Sequence, residues 1–120
     1  EVAAVVRAGA TAVAVGTALL LADEAGTSAV HRRAIVEHPG PTRMSRAFTG
    51  RPARGLVNEF MTRFEGSAPL GYPAVHHLTA SLRRAAAAAA AAEWVHLWAG
   101  TGHAAAETGS TAQILARLAV

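Results

Sequence analysis

The chain contains no cysteine, no lysine, only six aromatic side chains and no apolar run long enough to cross a membrane. Without cysteine there can be no disulfide scaffold, no thiolate metal site and no cysteine nucleophile, and the redox compartment is left open. The longest apolar run, residues 12–22, includes Gly16 and Thr17 and stops at Asp23-Glu24, well short of the ~20 residues a spanning helix needs. With lysine absent, all eleven cations are arginines against eight carboxylates, a formal net charge of +3. They are scattered from Arg7 to Arg117 with neither a stripe nor interleaved aromatics, so nucleic acid is not an expected partner. Arginine without lysine, alongside abundant alanine, fits a GC-rich coding sequence better than a polyanion partner.

What is present is largely small and apolar. Hydrophobic residues make up 52% of the 120 positions, which excludes disorder of the whole chain. Alanine inflates that share while adding little area, so a self-contained core is expected to be thin. A length of 120 suits one domain but falls far below the roughly 250 residues of a closed eight-stranded α/β barrel. Glu1 is not preceded by an initiator methionine, a basic region or a cleavage site. The chain therefore reads as one that begins mid-protein, with nothing directing secretion, and a cytoplasmic location is expected.

Val2, Val5 and Val6 have the spacing of the last turns of an amphipathic helix closed by Gly9. The run from Thr11 to Thr17 then alternates small and β-branched residues, as in a strand buried on both faces of a parallel sheet. A short helix is expected to end at Gly26, and another, capped by Thr27 or Ser28, to run to about His38 before Pro39-Gly40-Pro41 stops it. Residues 42–54 are expected to be extended, with a turn at Gly50-Arg51-Pro52. Leu56, Phe60, Met61 and Phe64 predict a helix closing before Gly66. Val75, Leu78 and Leu82 mark a helix continuing through Arg83-Arg84 and eight alanines to Ala92. Residues 94–99 read as a short strand or turn, and Ser110 with Gln113 as the capping box of a last helix.

Few residues have spacing suited to chemistry. Gly16 and Thr17 close an apolar strand ahead of a helical stretch, where backbone can approach an anion and a helix N-terminus favours negative charge. His76 and His77 are adjacent and cannot clamp a metal as an i, i+4 pair would, and His31 and His38 lack a suitably spaced carboxylate. No metal is expected. Arg51 and Arg54 suit an anion or, more ordinarily, loop carbonyls and carboxylates, and Trp94 and Trp98 suit core anchors. Nucleophile-elbow, P-loop and dinucleotide-binding patterns are all absent.

Several of these segments occur in an order that resembles a known family. They are Gly9 to Thr17, Asp23-Glu24-Ala25-Gly26-Thr27-Ser28, the Arg46-Ala47-Phe48-Thr49-Gly50-Arg51-Pro52-Ala53-Arg54-Gly55 block, Tyr72-Pro73, Leu78-Thr79 and Leu97-Trp98-Ala99-Gly100-Thr101-Gly102. Together they resemble the C-terminal portion of nitronate monooxygenases. The resemblance implies an α/β fold that is the C-terminal part of a (β/α)8 TIM-type barrel. Residues 1–38 would be the end of the flavin-binding barrel, with its last strand and phosphate-binding turn. Residues 39–120 would be an arginine-rich loop and helical tail of the same protein. It also implies FMN as cofactor, an alkyl nitronate and dioxygen as small-molecule reactants, and a carbonyl compound and nitrite as products. Ala14, Val15, Gly16 and Thr17 would hold the FMN phosphate, and Tyr72 would line the substrate pocket. Relatives often have Gln in place of Ala14 and Arg in place of Ala18, so the contacts carried over are those of the backbone at Gly16 and Thr17. The family's catalytic histidine lies on a more N-terminal strand, so none of the six histidines here inherits its role, and the segment alone is expected to be inactive. A flavin-dependent enoyl-thioester reductase and a non-enzymatic helical interaction module are the alternatives.

Overall fold

The computed structural model describes residues 2–37 and 40–119, and α-helix and short 3-10 turns dominate it. Helix α1 spans Val2–Arg7 and ends, as its valine spacing predicts, before Gly9, which adopts φ +103°. The strand expected over residues 11–17 does not form. These residues run without ladder partners into a 3-10 turn at Thr17–Leu19, and no residue between 2 and 20 is buried. A strand exists by exchanging backbone hydrogen bonds with a neighbour, and no other strand among the described residues lies beside the segment.

Helix α2, Ala29–Glu37, begins where Ser28 Oγ accepts the His31 amide at 3.4 Å. His38 and Pro39, expected at its end, lie outside the described residues. Strands β1, Thr42–Ser45, and β2, Ala53–Leu56, pair antiparallel with Thr42 opposite Leu56 and Ser45 opposite Ala53. Gly50 turns the connection at φ +76°. Residues 95–99 lie along the other edge of β2: Leu56 N–H donates to Leu97 O at 2.9 Å and Ala99 N–H to Arg54 O at 3.1 Å. Val95, Leu97 and Ala99 point inward while His96 and Trp98 are only partly covered, the period-2 alternation of a strand.

Leu56, expected on the first turn of a helix, belongs instead to β2. Asn58 is the reason the helix starts later. Its side chain accepts the Met61 amide as the N-cap of α3, Glu59–Phe64, and the same buried amide donates to Ala92 O and Val95 O at 3.1 and 2.8 Å. The single helix expected from Val75 to Ala92 is two helices, α4 (Ala74–Leu78) and α5 (Ala80–Ala88). The joint is Thr79, whose hydroxyl donates to Phe48 O at 2.6 Å. Alanine favours helix but carries no stop signal; the stop comes from Ala90, at φ +54°, with Ala91 N–H closing on Ala86 O. The expected apolar face is also turned outward. Leu78 is 79% exposed, while Arg83 and Ala86 are buried.

Helix α6, Thr111–Leu118, has the predicted capping box of Ser110 and Gln113. It is docked by Glu24, whose carboxylate accepts both the amide and the hydroxyl of Thr111 at 2.8 Å. Those bonds hold the Glu24 carboxyl below its ordinary value.

Two hydrophobic clusters hold these pieces. One gathers Leu21, Val30, Ile35, Leu56, Val95 and Leu97 under α2 and β2. The other is aromatic, with Phe48 stacked on Phe60 at 4.3 Å and Trp98 edge-on to Phe48 at 5.9 Å. No helix among the described residues is long and apolar enough to cross a membrane.

Candidate active site

The fold brings together two segments far apart in sequence. Thr17 Oγ1 accepts the Gly100 amide at 2.8 Å across a separation of 83 residues. Because that oxygen accepts from Gly100, its own proton is free to be donated elsewhere. Leu19 and Leu20 donate back to Gly16 O and Thr17 O, whereas the amides of Thr17 and Ala18 have no acceptor among the described residues, as is usual for the first turn of a helix.

Two cavities meet at this corner. One of about 320 Å³ is lined by Gly16, Thr17, Leu20, Arg54, Trp98 and Gly100 among others. The second, about 600 Å³, is bounded by the run from Val13 to Ala18, by Gly100, Thr101 and Gly102, and by α1 and α6 residues. All four residues expected to hold a phosphate, Ala14, Val15, Gly16 and Thr17, therefore border one cavity. A Cβ built on Gly16 would meet nothing within 4 Å, so the backbone there is open to approach.

Secondary contacts fix the corner. Arg32, from α2, donates to Ala22 O and Leu21 O at 2.9 and 2.8 Å, tying down the chain just after the 3-10 turn. His31 Nε2 lies 3.0 Å from Trp98 O; a carbonyl only accepts, so this nitrogen carries the ring proton. Burial lowers the His31 pKa, and the Trp98 bond opposes that in part. Arg54 donates to the carbonyl and hydroxyl of Thr42 across the hairpin. It thus pins the loop while its side chain borders the smaller cavity.

Tyr72 lines neither cavity. It stands 57% exposed, 6.4 Å from His76, with the Arg51 guanidinium 5.9 Å from its ring centre. Behind it lies a cluster that the sequence spacing did not indicate. Arg83 is buried, and its guanidinium reaches His96 Nε2 and His76 Nδ1, both at 3.2 Å, and Thr79 Oγ1 at 3.1 Å. The one signal for it was the seven-residue interval from His76 to Arg83, two helical turns. His96 is pushed down to about 4, first by burial and then by the charges of Arg83, His31 and His76.

This lowered pKa has a consequence for stability. The unfolded chain binds a proton at His96 as pH falls below about 6.5, whereas the folded chain resists it until about 4. Stability is therefore whole above 6.5 and declines between 6.5 and 4. Discounted for the ring's partial exposure, the loss is about 2 kcal/mol. The urea midpoint should fall across this window, and His96→Gln should flatten the decline; an unchanged slope in the variant would assign the acid sensitivity elsewhere.

The whole length of the chain, residues 1–120, matches the family model described as nitronate monooxygenase. The chain belongs to the nitronate monooxygenase family. A probable nitronate monooxygenase of Staphylococcus saprophyticus is 41% identical over 96 residues, covering 77% of this chain and 27% of that protein. Another from Staphylococcus haemolyticus is 35% identical over 114 residues, 92% of this chain and 32% of that protein. A crystal structure of nitroalkane oxidase from Streptomyces ansochromogenes superposes with a TM-score of 0.93 at 47% identity, over 98% of this chain and 34% of that one. The chain thus spans about a third or less of the length of these family relatives.

Proposed function

We propose that this chain is the C-terminal part of an FMN-dependent enzyme that oxidises alkyl nitronates with dioxygen, giving a carbonyl compound and nitrite. Residues 1–38 close a (β/α)8 barrel, and residues 39–120 form the loop and helical region beside its active site. The observation that carries this reading is the bond from the Gly100 amide to Thr17 Oγ1, which joins two of the family-like segments at one open corner. The residues fit a phosphate. Unpartnered amides at Thr17 and Ala18, a hydroxyl proton free to donate and an uncrowded Gly16 all border the same cavity, and the first turn of a helix favours an anion.

Bound there, the flavin supplies the redox chemistry. The chain's own residues bind and orient. Gly16 and Thr17 offer backbone and hydroxyl to the phosphate, with Ala14 and Val15 beside them. Gly100 holds the Thr17 hydroxyl in place, and Trp98 forms an apolar wall of the neighbouring cavity. Tyr72, with Arg51 and His76 beside it, is assigned to the substrate side.

The experiment is to purify the intact enzyme containing this chain and assay nitrite release from an alkyl nitronate under oxygen. One flavin per chain and oxygen-dependent nitrite are expected. Reduction of the flavin by a nicotinamide cofactor without nitronate turnover would instead favour an enoyl-thioester reductase. Thr17→Val, which removes one hydroxyl contact, should weaken FMN binding by roughly tenfold. The isolated 120-residue chain should carry no visible flavin absorbance, because one phosphate corner cannot replace the rest of the flavin pocket. A yellow, stoichiometrically loaded preparation of it would overturn that expectation.

A further inference from the structure

The cluster around Arg83 has an unusual balance of donors and acceptors. Its guanidinium is buried, and none of its side-chain partners is a carboxylate: they are two imidazoles and the Thr79 hydroxyl, joined by the His76 carbonyl at 2.7 Å. A guanidinium can only donate and stays charged in proteins. His96 Nε2 and His76 Nδ1, each 3.2 Å from it, must therefore both be unprotonated acceptors. In a neutral imidazole the proton then sits on the other nitrogen, Nδ1 of His96 and Nε2 of His76. Thr79 is held in the same sense, accepting from Arg83 Nε while donating to Phe48 O.

The consequence at His96 is an orphan. Its Nδ1 is buried and has no hydrogen-bond partner among the described residues. A buried donor left unmade is costly, and such groups in native proteins usually have a water, ligand or catalytic explanation. The ring is flanked by Phe48 and Trp98, at centroid distances of 6.1 and 5.6 Å, and Trp98 borders the smaller cavity of the candidate site.

We propose that Arg83 is a positioning residue that locks His76 and His96 into these donor tautomers. The two histidines then serve as fixed hydrogen-bond donors to an oxygen of a small anion, and neither acts as a general base. A positive charge behind the donors, with no carboxylate among its partners in the described residues, selects an anionic acceptor over a neutral one. The anion class rests on the nitronate reading above. The tautomer lock does not.

The test is nitrogen-15 correlation spectroscopy of the histidine rings in the intact protein at neutral pH, with and without inorganic nitrite. His96 should show a protonated Nδ1 and His76 a protonated Nε2. Nitrite should shift both the Nδ1–H signal of His96 and the Nε2–H signal of His76. Arg83→Lys, which keeps the charge but has no planar fork to reach both rings, should release at least one histidine into a mixture of tautomers. Arg83→Met should release both, and circular dichroism establishes that each variant is folded. Opposite tautomers, or wild-type tautomers in a folded Arg83→Lys protein, would overturn the lock. With the lock intact, an enzyme that turns over nitronate yet lacks the nitrite shift at one or both rings would overturn the paired donor role alone. Absence of nitronate turnover with the lock intact would count against the functional reading and leave the lock standing.

Discussion

Truncating Phe48 to alanine should destabilise the protein by about 3–5 kcal/mol, the range for emptying a fully buried aromatic site. Phe48 is 0% exposed. Its ring lies 4.3 Å from Phe60 at an interplanar angle of 15° and meets Trp98 edge-on, and its carbonyl holds the Thr79 hydroxyl at the joint of α4 and α5. In a chain with so few aromatics, one ring links the hairpin, α3 and the segment after the alanines. Phe48→Leu keeps much of the volume and should cost less than about 1.5 kcal/mol. Urea unfolding of the two variants decides the matter: equal losses would mean that the ring geometry, and not the buried volume, is what joins these elements.

Gly50→Ala should cost about 3 kcal/mol, combining a left-handed backbone penalty with overpacking. Gly50 sits at φ +76°, and an added Cβ would fall 2.7–2.8 Å from backbone atoms of Gly71 and Tyr72. Backbone cannot rotate aside as a side-chain tip can. The Gly71 amide also donates to Gly50 O at 3.2 Å, so the variant would force the Tyr72 loop off the hairpin. Gly16→Ala is the informative contrast. Gly16 has φ −117° and open space around its Cβ, so the substitution should change stability by less than about 1 kcal/mol while hindering any ligand that approaches its backbone. Thermal melts of both variants separate a glycine required by the fold from one that the fold can spare; a comparable loss in Gly16→Ala would show that the fold needs the glycine at this corner as well.

Several features were legible because their causes are local. Ser110 and Gln113 satisfy each other's backbone amides within one turn, Gly50 supplies a turn between two extended runs, and the valines of α1 repeat at helical spacing. Other features had distant causes. The apolar run at residues 11–17 has the composition of a buried strand, but pairing needs a partner and the described residues offer none. Leu78 and Leu82 have the spacing of an apolar face, yet Arg83 is the residue turned inward, because His76, His96 and Thr79 give its guanidinium acceptors there.

The corner at Gly16-Thr17 divides in the same way. Sequence alone determined that Gly16-Thr17 ends an apolar stretch and begins a helical turn, since small residues and turn chemistry act over a few positions. Only the tertiary structure decided that Gly100 meets the Thr17 hydroxyl and that Arg83 binds two histidines. Those contacts depend on how β2, α5 and residues 95–99 pack, and no short window of residues encodes the distances between them.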